Sequence, residues 1–338
     1  MDPLTHSALG AAMGGFIGGK KEGLRAPIAG LMAGASPDLD LLPTLFMEPM
    51  AKLDFHRGIT HSVVFALLLS PIVAYAICRC TGSKNAKGRF LTWTLIVLCA
   101  ILSHIVLDCF TTYGTRIFLP FSDYRAAISS IAIADPFFSV PIIVAAVSLF
   151  AVKKNERLKK ILFAAGSVTA LVYLATTVLV KMHIDSVFED NYKKQAIEHS
   201  RYMTTPMPFS NFLWVGIAEG RDSFFTGYYS LLDRDAAISF DINPKNHEYL
   251  GDMLKNSAIK TIISLAKNFY SIEQTEAGLK LIDLRYGSLW AGSGIKEYII
   301  SYDIRNDHDK LEIIRHTRSR LSPETFKIFI KRIIGVKK

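Results

Sequence analysis

Cysteine is scarce in this chain, and charged residues are missing from several long stretches. The 338 residues include four cysteines, and none of their spacings is that of a zinc knuckle. We interpret them as small apolar residues within helices. No recognised nucleic-acid-binding module is visible either, so we attribute the net charge of +9 to membrane topology and anionic lipids and expect no nucleic-acid partner.

Four segments contain no Lys, Arg, Asp or Glu, namely residues 62–77, 90–107, 136–152 and 161–180. A helix that rises ~1.5 Å per residue needs about 17 to 25 apolar residues to cross a bilayer, so each segment is close to sufficient. Residues 7–19 and 26–35 are shorter and rich in glycine and alanine, which favours a hairpin of two closely packed short helices. The sequence predicts a polytopic α-helical membrane domain with four spans and this N-terminal hairpin.

The composition changes after residue 180, where charge returns and no further apolar run is long enough to span a bilayer. Short aromatic and β-branched runs predict strands, residues 247–267 predict a helix, and the chain ends in a basic amphipathic helix. We therefore predict a membrane domain over residues 1–183 and a soluble α+β domain over residues 184–338. The second domain has no Gly-rich phosphate loop and no nucleophile motif, so we expect it to cover the site or to select the substrate.

Basic residues are concentrated in alternate connections between the apolar segments. Residues 20–25 hold three, residues 79–89 hold four and residues 153–160 hold five, whereas the opposite connections hold fewer. The positive-inside rule assigns the basic connections to the cytoplasm. Residues 36–61 and 108–134 then share the outer side of a multi-pass inner-membrane protein with the second domain, which is predicted to be periplasmic.

Histidine and aspartate collect at the outer ends of these helices. His104 and Asp108 are four residues apart, so they project from one helix face, where an ionisable pair at membrane depth favours a functional site. Asp38 and Asp40 in SPDLDLL follow the hairpin and could form an oxygen-ligand pair. The alternative is a loop in which Ser36 or Asp38 caps the next helix.

The segment HRGITHS places His56 and His61 five residues apart, which is about 140° out of phase on a helix. We expect Gly58 to turn the chain, with His56 on a loop and His61 in the first turn of the next helix. Thr60 is then available to cap that helix. In this arrangement two imidazoles converge on one ion.

With His6 added, the candidate metal ligands are His6, Asp38, Asp40, His56, His61, His104 and Asp108. Asp135 in ADPFF is an eighth candidate, although Asp before Pro is also a common helix start. Zinc takes about four ligands per ion, so such a set suits two ions. Mixed histidine and carboxylate ligation favours zinc, with manganese or iron as alternatives, and paired ions are typical of hydrolytic sites.

The order H, PDLD, HRGITHS, SHIVLD, TTYGTRIFLPFSD and ADP resembles the membrane-bound metal-dependent hydrolase family, whose bacterial members are inner-membrane proteins, some described as LexA-regulated. The motifs cover roughly the first 140 residues, and TPMPFSNFLW at 205–214 is similar to the family's Pro-rich start of the C-terminal domain. The resemblance implies a metal-dependent hydrolase with the seven ligands in the family's polar positions. It supplies no substrate.

Two arginines beside this centre, Arg57 and Arg116, are candidates for binding an anionic substrate. The alternative for the loop that carries Arg116 is an interfacial segment of the aromatic belt. We predict a hydrolase that acts on an ester or phosphoester of a lipid or lipid-linked substrate, with Asp40 or Asp135 moving the proton. A metal or proton transporter, or an envelope protein with a structural metal site, are the alternatives.

Overall fold

The computed structural model describes residues 1–81, 86–291, 297–307, 310–317 and 322–336. By compactness it divides into one unit of Met1–Ile128 with Ile133–Thr177 and a second of Ser129–Ala132 with Val178–Lys338. The helices of the first part are α1 (Pro3–Glu22), α2 (Arg25–Ala35), α3 (Leu41–Thr44), α4 (Pro49–Phe55), α5 (Val63–Thr81), α6 (Ala86–Cys109), α7 (Pro136–Ala151) and α8 (Glu156–Lys194). Short 3-10 helices lie at Ser36–Asp40 and Ile59–His61.

The first two helices form the predicted hairpin. The Asp2 side chain caps α1 by accepting from the backbone N–H of Thr5 at 2.9 Å, and Gly23 ends the helix with φ of +59°. The helices touch backbone to backbone, because a Cβ at Gly10 would overlap the carbonyl oxygen of Gly30. A Cβ at Gly34 would lie 2.7 Å from the carbonyl oxygen of His6. This close contact brings His6 beside the end of α2.

A larger side chain at Gly10 is expected to destabilise the hairpin. Gly10→Leu forces the two backbones apart and should lower the free energy of unfolding by roughly 1 to 3 kcal/mol, the usual range for overpacking. Gly19→Leu on the same helix is the matched control, because a Cβ at Gly19 meets no atom within 4 Å. Thermal unfolding in detergent measures both, and equal midpoints would contradict the close-packing account.

Three helices of the described residues are long and apolar enough to cross a membrane, in the windows Val63–Cys80, Gly88–Cys109 and Glu156–Lys194. Helix α7, Pro136–Ala151, is apolar but has only 16 residues. Each of the four charge-free segments falls largely within one of α5 to α8. Within the basic connection 79–89, residues 82–85 lie outside the described residues. The helical, partly apolar first part is therefore confirmed, while the number of spans stays a prediction.

Helix α6 lies at the centre of the first unit, where it packs against α1, α2 and α5. Its buried residues Val97, Ala100, Ile101 and Ile105 form one core with Ala33 of α2 and Ala66 of α5. This apolar packing fixes the C-terminal end of α6, which carries His104 and Asp108, against the end of α2 and the start of α5.

The second unit contains two antiparallel four-stranded sheets in the described part of the chain, ordered β1-β2-β3-β4 and β5-β6-β7-β8. Their strands are β1 (Arg201–Pro206), β2 (Leu213–Glu219), β3 (Ser223–Ser230), β4 (Phe240–Pro244), β5 (Tyr270–Thr275), β6 (Gly278–Ser288), β7 (Tyr298–Asp307) and β8 (Lys310–Thr317). Helices α9 (Ser257–Leu265) and α10 (Pro323–Ile333) complete it. The predicted sheet-containing domain after the helices is confirmed.

Two details of this unit differ from the sequence prediction. The helix expected over residues 247–267 is a 3-10 segment, His247–Lys255, followed by α9, with non-helical backbone at Gly251 (φ +42°). In addition, α8 continues to Lys194, and its residues Ile184, Phe188 and Tyr192 pack against Trp214 in the sheet core. The predicted boundary at 183/184 therefore falls inside a helix, because a single helix supplies both an apolar run and part of the second core.

Candidate metal centre

All seven predicted ligands lie in three overlapping groups whose ligand atoms are within 4.8 Å of one another. The groups are His6, His104 and Asp108; Asp38, His61 and His104; and Asp38, Asp40 and His56. His104 belongs to the first two groups and Asp38 to the last two. The cluster could therefore hold a metal ion, as the sequence predicts, and its shared members leave room for more than one.

Two imidazole nitrogens of the cluster, those of His61 and His104, each lie near the same two carboxylate oxygens, and we call the centre between them the inner site. His61 Nε2 and His104 Nε2 are 3.1 Å apart. Asp38 Oδ1 lies 3.5 Å from the first nitrogen and 3.6 Å from the second, and Asp108 Oδ2 lies 3.6 and 3.7 Å from them. A tetrahedral ion with ligand distances of ~2.1 Å needs ligand atoms about 3.4 Å apart. These five spacings fit that geometry.

The two imidazoles are oriented by acceptors on their far sides. His104 Nδ1 donates to the carbonyl oxygen of Gly34 at 2.7 Å, and a carbonyl can only accept. His61 Nδ1 faces Thr60 Oγ1 at 3.0 Å, and that hydroxyl already donates to Asp40 Oδ2. Both Nε2 atoms therefore present lone pairs to the centre. Facing lone pairs at 3.1 Å repel unless a cation, a proton or a metal, lies between them.

Asp108 is the fully buried carboxylate of this site. Its Oδ1 contacts Arg57 Nη2 at 3.0 Å, His6 Nε2 at 3.1 Å and the α-amino group of Met1 at 2.7 Å. Its Oδ2, which faces the centre, has no hydrogen-bond partner among the described residues. A buried carboxylate oxygen without a partner is costly and is the atom that a cation would satisfy.

Asp40 organises the histidines more than it faces the centre. Oδ1 accepts from His56 Nδ1 at 2.9 Å, and Oδ2 accepts from Thr60 Oγ1 at 2.9 Å and from the backbone N–H of Arg57 at 3.2 Å. Burial alone would raise the pKa of the Asp40 carboxyl, but hydrogen bonds from His56 and His61 hold that pKa well below its usual range. Asp40 is therefore ionised at neutral pH.

The third group, Asp38, Asp40 and His56, lies towards solvent. The His56 side chain is 24% exposed, whereas His61 and His104 are fully buried. Burial would raise the pKa of Asp38, and the neighbouring His61 outweighs this effect and lowers that pKa. Two carboxylates and one imidazole with an exposed side are a ligand set that leaves room for water.

The HRGITHS turn differs in detail from its prediction. Arg57 takes the left-handed conformation with φ of +59°, whereas Gly58 has φ of −86° and ψ of −131°. Gly58 is still needed, because a Cβ there would lie 2.7 Å from the carbonyl oxygen of Phe55. His61 ends a 3-10 turn before α5, and Ser62, not Thr60, caps α5 by accepting from Phe65 N–H.

The two predicted anion-binding arginines are already engaged within the protein. Arg57 is buried, holds Asp108, donates to Thr111 Oγ1 at 3.0 Å and lies over the ring of Tyr113. Arg116 Nη2 lies 3.2 Å from Asp54 Oδ1 and donates to the carbonyl oxygen of the same residue. Arg125, which the sequence did not single out, shares that Asp54 carboxylate at 3.2 Å.

Asp135 is not a member of the three groups in the described residues. It caps α7, where Oδ1 accepts from Phe137 N–H at 2.9 Å, and its Oδ2 accepts from Tyr173 at 2.7 Å. Burial raises the pKa of the Asp135 carboxyl. Asp135 is therefore the helix start that the sequence offered as the alternative to a metal ligand, and its part in moving a proton stays a prediction.

The fold and the site define a helical membrane protein with a buried histidine and aspartate cluster at the ends of its helices. A family model described as YdjM inner membrane protein matches residues 1–184, which is more than half of the 338 residues. The chain therefore belongs to the YdjM inner membrane protein family. The matched region contains the whole cluster.

Two relatives support this placement. YfhP of Bacillus subtilis (strain 168), described as an uncharacterized protein, is 30% identical over 147 residues, which cover 41% of this chain and 43% of YfhP. The inner membrane protein YbcI of Escherichia coli (strain K12) is 32% identical over 124 residues, which cover 36% of this chain and 69% of YbcI. No solved structure matches the chain. An inner-membrane protein is thereby confirmed, while the hydrolase activity stays a prediction.

Proposed function

We propose that this protein is a membrane-embedded, metal-dependent hydrolase that acts at the outer face of the inner membrane on an ester or phosphoester of a lipid or lipid-linked substrate. The observation that carries the proposal is the inner site, where two imidazole nitrogens 3.1 Å apart each lie 3.5 to 3.7 Å from the same two carboxylate oxygens. The arrangement needs a cation, and mixed nitrogen and oxygen ligands favour zinc, manganese or iron.

Two ions account for six of the seven candidate ligands, and His6 contacts Asp108 Oδ1 at 3.1 Å instead. We assign the inner ion to His61, His104, Asp38 and Asp108 from their mutual distances. Asp38, Asp40 and His56 would hold the outer ion, with Asp38 common to both. A divalent ion there would supply Lewis acidity and a nucleophile at neutral pH. Because His56 is partly exposed, we propose that the substrate approaches from its side of the cluster, which is the outer side in the proposed topology.

The remaining residues would do supporting work. Arg57 holds Asp108 in place, and Asp40 holds the rings of His56 and His61. Asp135, with its raised pKa and its contact to Tyr173, is suited to holding a proton. In the proposed topology the protein is multi-pass, its basic connections are cytoplasmic and its second unit is periplasmic.

Elemental analysis of the purified protein, combined with a panel of p-nitrophenyl phosphoesters and carboxyesters, tests the proposal. We expect about two transition-metal ions per chain and chelator-sensitive hydrolysis. His56→Ala should reduce turnover by about a hundredfold or more while the inner ion is retained, because only the outer group loses a ligand. His316→Ala, another partly exposed histidine that contacts an aspartate (Asp303, 3.0 Å), is the matched control.

Metal uptake into proteoliposomes without hydrolysis of any ester would contradict the proposal and favour a transporter. A structural metal site is the second candidate, because four protein ligands can close a tetrahedral inner site. A structural site predicts one tightly bound ion per chain and no hydrolysis of any substrate in the panel. It also predicts that His56→Ala keeps the metal content of the unsubstituted protein.

A further inference from the structure

An apolar cavity of about 390 Å³ lies within the first unit, between α1, α6, α7 and α8. Its volume falls in the range of about 300 to 1,000 Å³ that small-molecule sites occupy. Ser103 and Ser167 are the polar residues of the lining, and Ser103 Oγ is engaged with the carbonyl oxygen of Ala100. Ser167 Oγ is buried and has no hydrogen-bond partner among the described residues. With one unpartnered hydroxyl in an otherwise apolar wall, the cavity favours a hydrocarbon over a polar ligand.

One end of the cavity adjoins the metal cluster. Leu9 lies one helical turn beyond His6, Leu107 immediately precedes Asp108, and Leu174 immediately follows Tyr173, the partner of Asp135. Phe138 is in the first turn of the helix that Asp135 caps. The cavity therefore begins where the cluster and the Asp135–Tyr173 pair end.

The other end lies deeper along the same helices. Phe16 is seven residues beyond Leu9 on α1, about 10 Å along the axis, and Phe163 is eleven residues before Leu174 on α8, about 16 Å. One leaflet of a ~30 Å hydrocarbon core is about 15 Å deep. The cavity thus matches the depth of the leaflet whose surface is at the cluster.

We infer that this cavity holds one acyl chain of a membrane phospholipid, so that the ester or phosphoester of the same lipid lies at the histidine and aspartate cluster. The inference rests on the proposed function and names its substrate class. Small residues, Ala12 and Ala170, line the cavity. An acyl chain of the phospholipid can lie beside these alanines without breaking a hydrogen bond.

The full-length protein in nanodiscs of phosphatidylethanolamine and phosphatidylglycerol tests this inference. A trace of phospholipid with a diazirine in one acyl chain should label residues 9–16 and 163–174 about tenfold more than the lipid-facing residues Leu67 and Leu68 of α5. Ala170→Phe should reduce that labelling about tenfold and leave the metal content unchanged. Ser167→Leu is a milder second variant if the phenylalanine prevents folding.

Ala29→Phe is the matched control, because Ala29 lines a separate cavity of about 480 Å³ between α2, α5 and α6. Uniform labelling of α1, α5 and α8 would overturn the proposed acyl-chain site. An equal loss of cavity labelling in Ala170→Phe and Ala29→Phe would overturn it as well. If labelling is uniform while the protein binds metal and hydrolyses esters, the acyl-chain site is overturned and the proposed function stands. Cavity labelling in a protein that binds no metal would instead overturn the proposed function, and the substrate assignment with it.

Discussion

His104→Ala is expected to lower the metal content from about two ions per chain to one or fewer. Its Nε2 lies within 3.7 Å of ligand atoms from His61, Asp38 and Asp108, so its loss opens the inner site on one side. Asp38 serves both groups, so the outer ion should be weakened as well. Elemental analysis of detergent-purified protein that elutes as a single species measures the effect.

The control is His183→Ala, an exposed histidine of α8 that belongs to none of the three groups. It should retain the full metal content. If His104→Ala still binds two ions per chain, this residue is not a ligand, and a proton holds the facing imidazoles of the unsubstituted protein together. Metal lost equally from both variants would point to general instability instead.

The sequence pattern predicted the members of this cluster because the constraint is strong and local. His104 and Asp108 are one turn apart on a helix, and ionisable groups at the end of an apolar run need partners. The need of ionisable groups for partners also selected four residues that lie between the hairpin and the apolar segment 62–77, namely Asp38, Asp40, His56 and His61. Those residues lie within the three groups that the structure brings together.

The roles within the cluster could not be predicted, because they depend on contacts between distant segments. Gly34 contributes only a carbonyl oxygen, 70 positions from the histidine that it orients, and carries no side-chain signal. Asp40 was predicted as a ligand and a base, and it lies in a candidate ligand group with Asp38 and His56. Both its oxygens also accept hydrogen bonds from the HRGITHS turn, which the sequence did not indicate. Arg57 was predicted to meet substrate, and instead it pairs with Asp108.

Composition alone predicted those parts of the fold in which an unusual residue content marks a helix or a close contact. Charge-free runs identified the helices α5 to α8, and the glycines of α1 and α2 identified their close packing. The break at Gly251 was missed, because its apolar neighbours keep a helical period while its φ of +42° interrupts the backbone. Periodicity reports which side is buried, and it does not report whether the helix is continuous.

Arg57→Ala is expected to destabilise the metal-free protein strongly and the metal-bound protein much less. The side chain is buried, and its Nη2 lies 3.0 Å from Asp108 Oδ1, so its removal leaves a buried carboxylate with less compensation. Breaking a buried pair in this way costs about 3 to 5 kcal/mol. A bound cation would offset part of that cost through Asp108 Oδ2, which faces the centre. Thermal unfolding with and without chelator measures the difference.

Two comparisons separate this electrostatic effect from loss of packing over Tyr113. Arg116→Ala removes a pair whose aspartate, Asp54, is half exposed, so it should cost less than about 1 kcal/mol with or without chelator. Asp108→Asn added to Arg57→Ala removes the uncompensated charge, and it should restore part of the stability of the chelated protein. If chelator lowers the midpoint equally in Arg57→Ala and the unsubstituted protein, Asp108 is not a metal ligand. If Asp108→Asn restores nothing, the arginine stabilises the fold by packing alone.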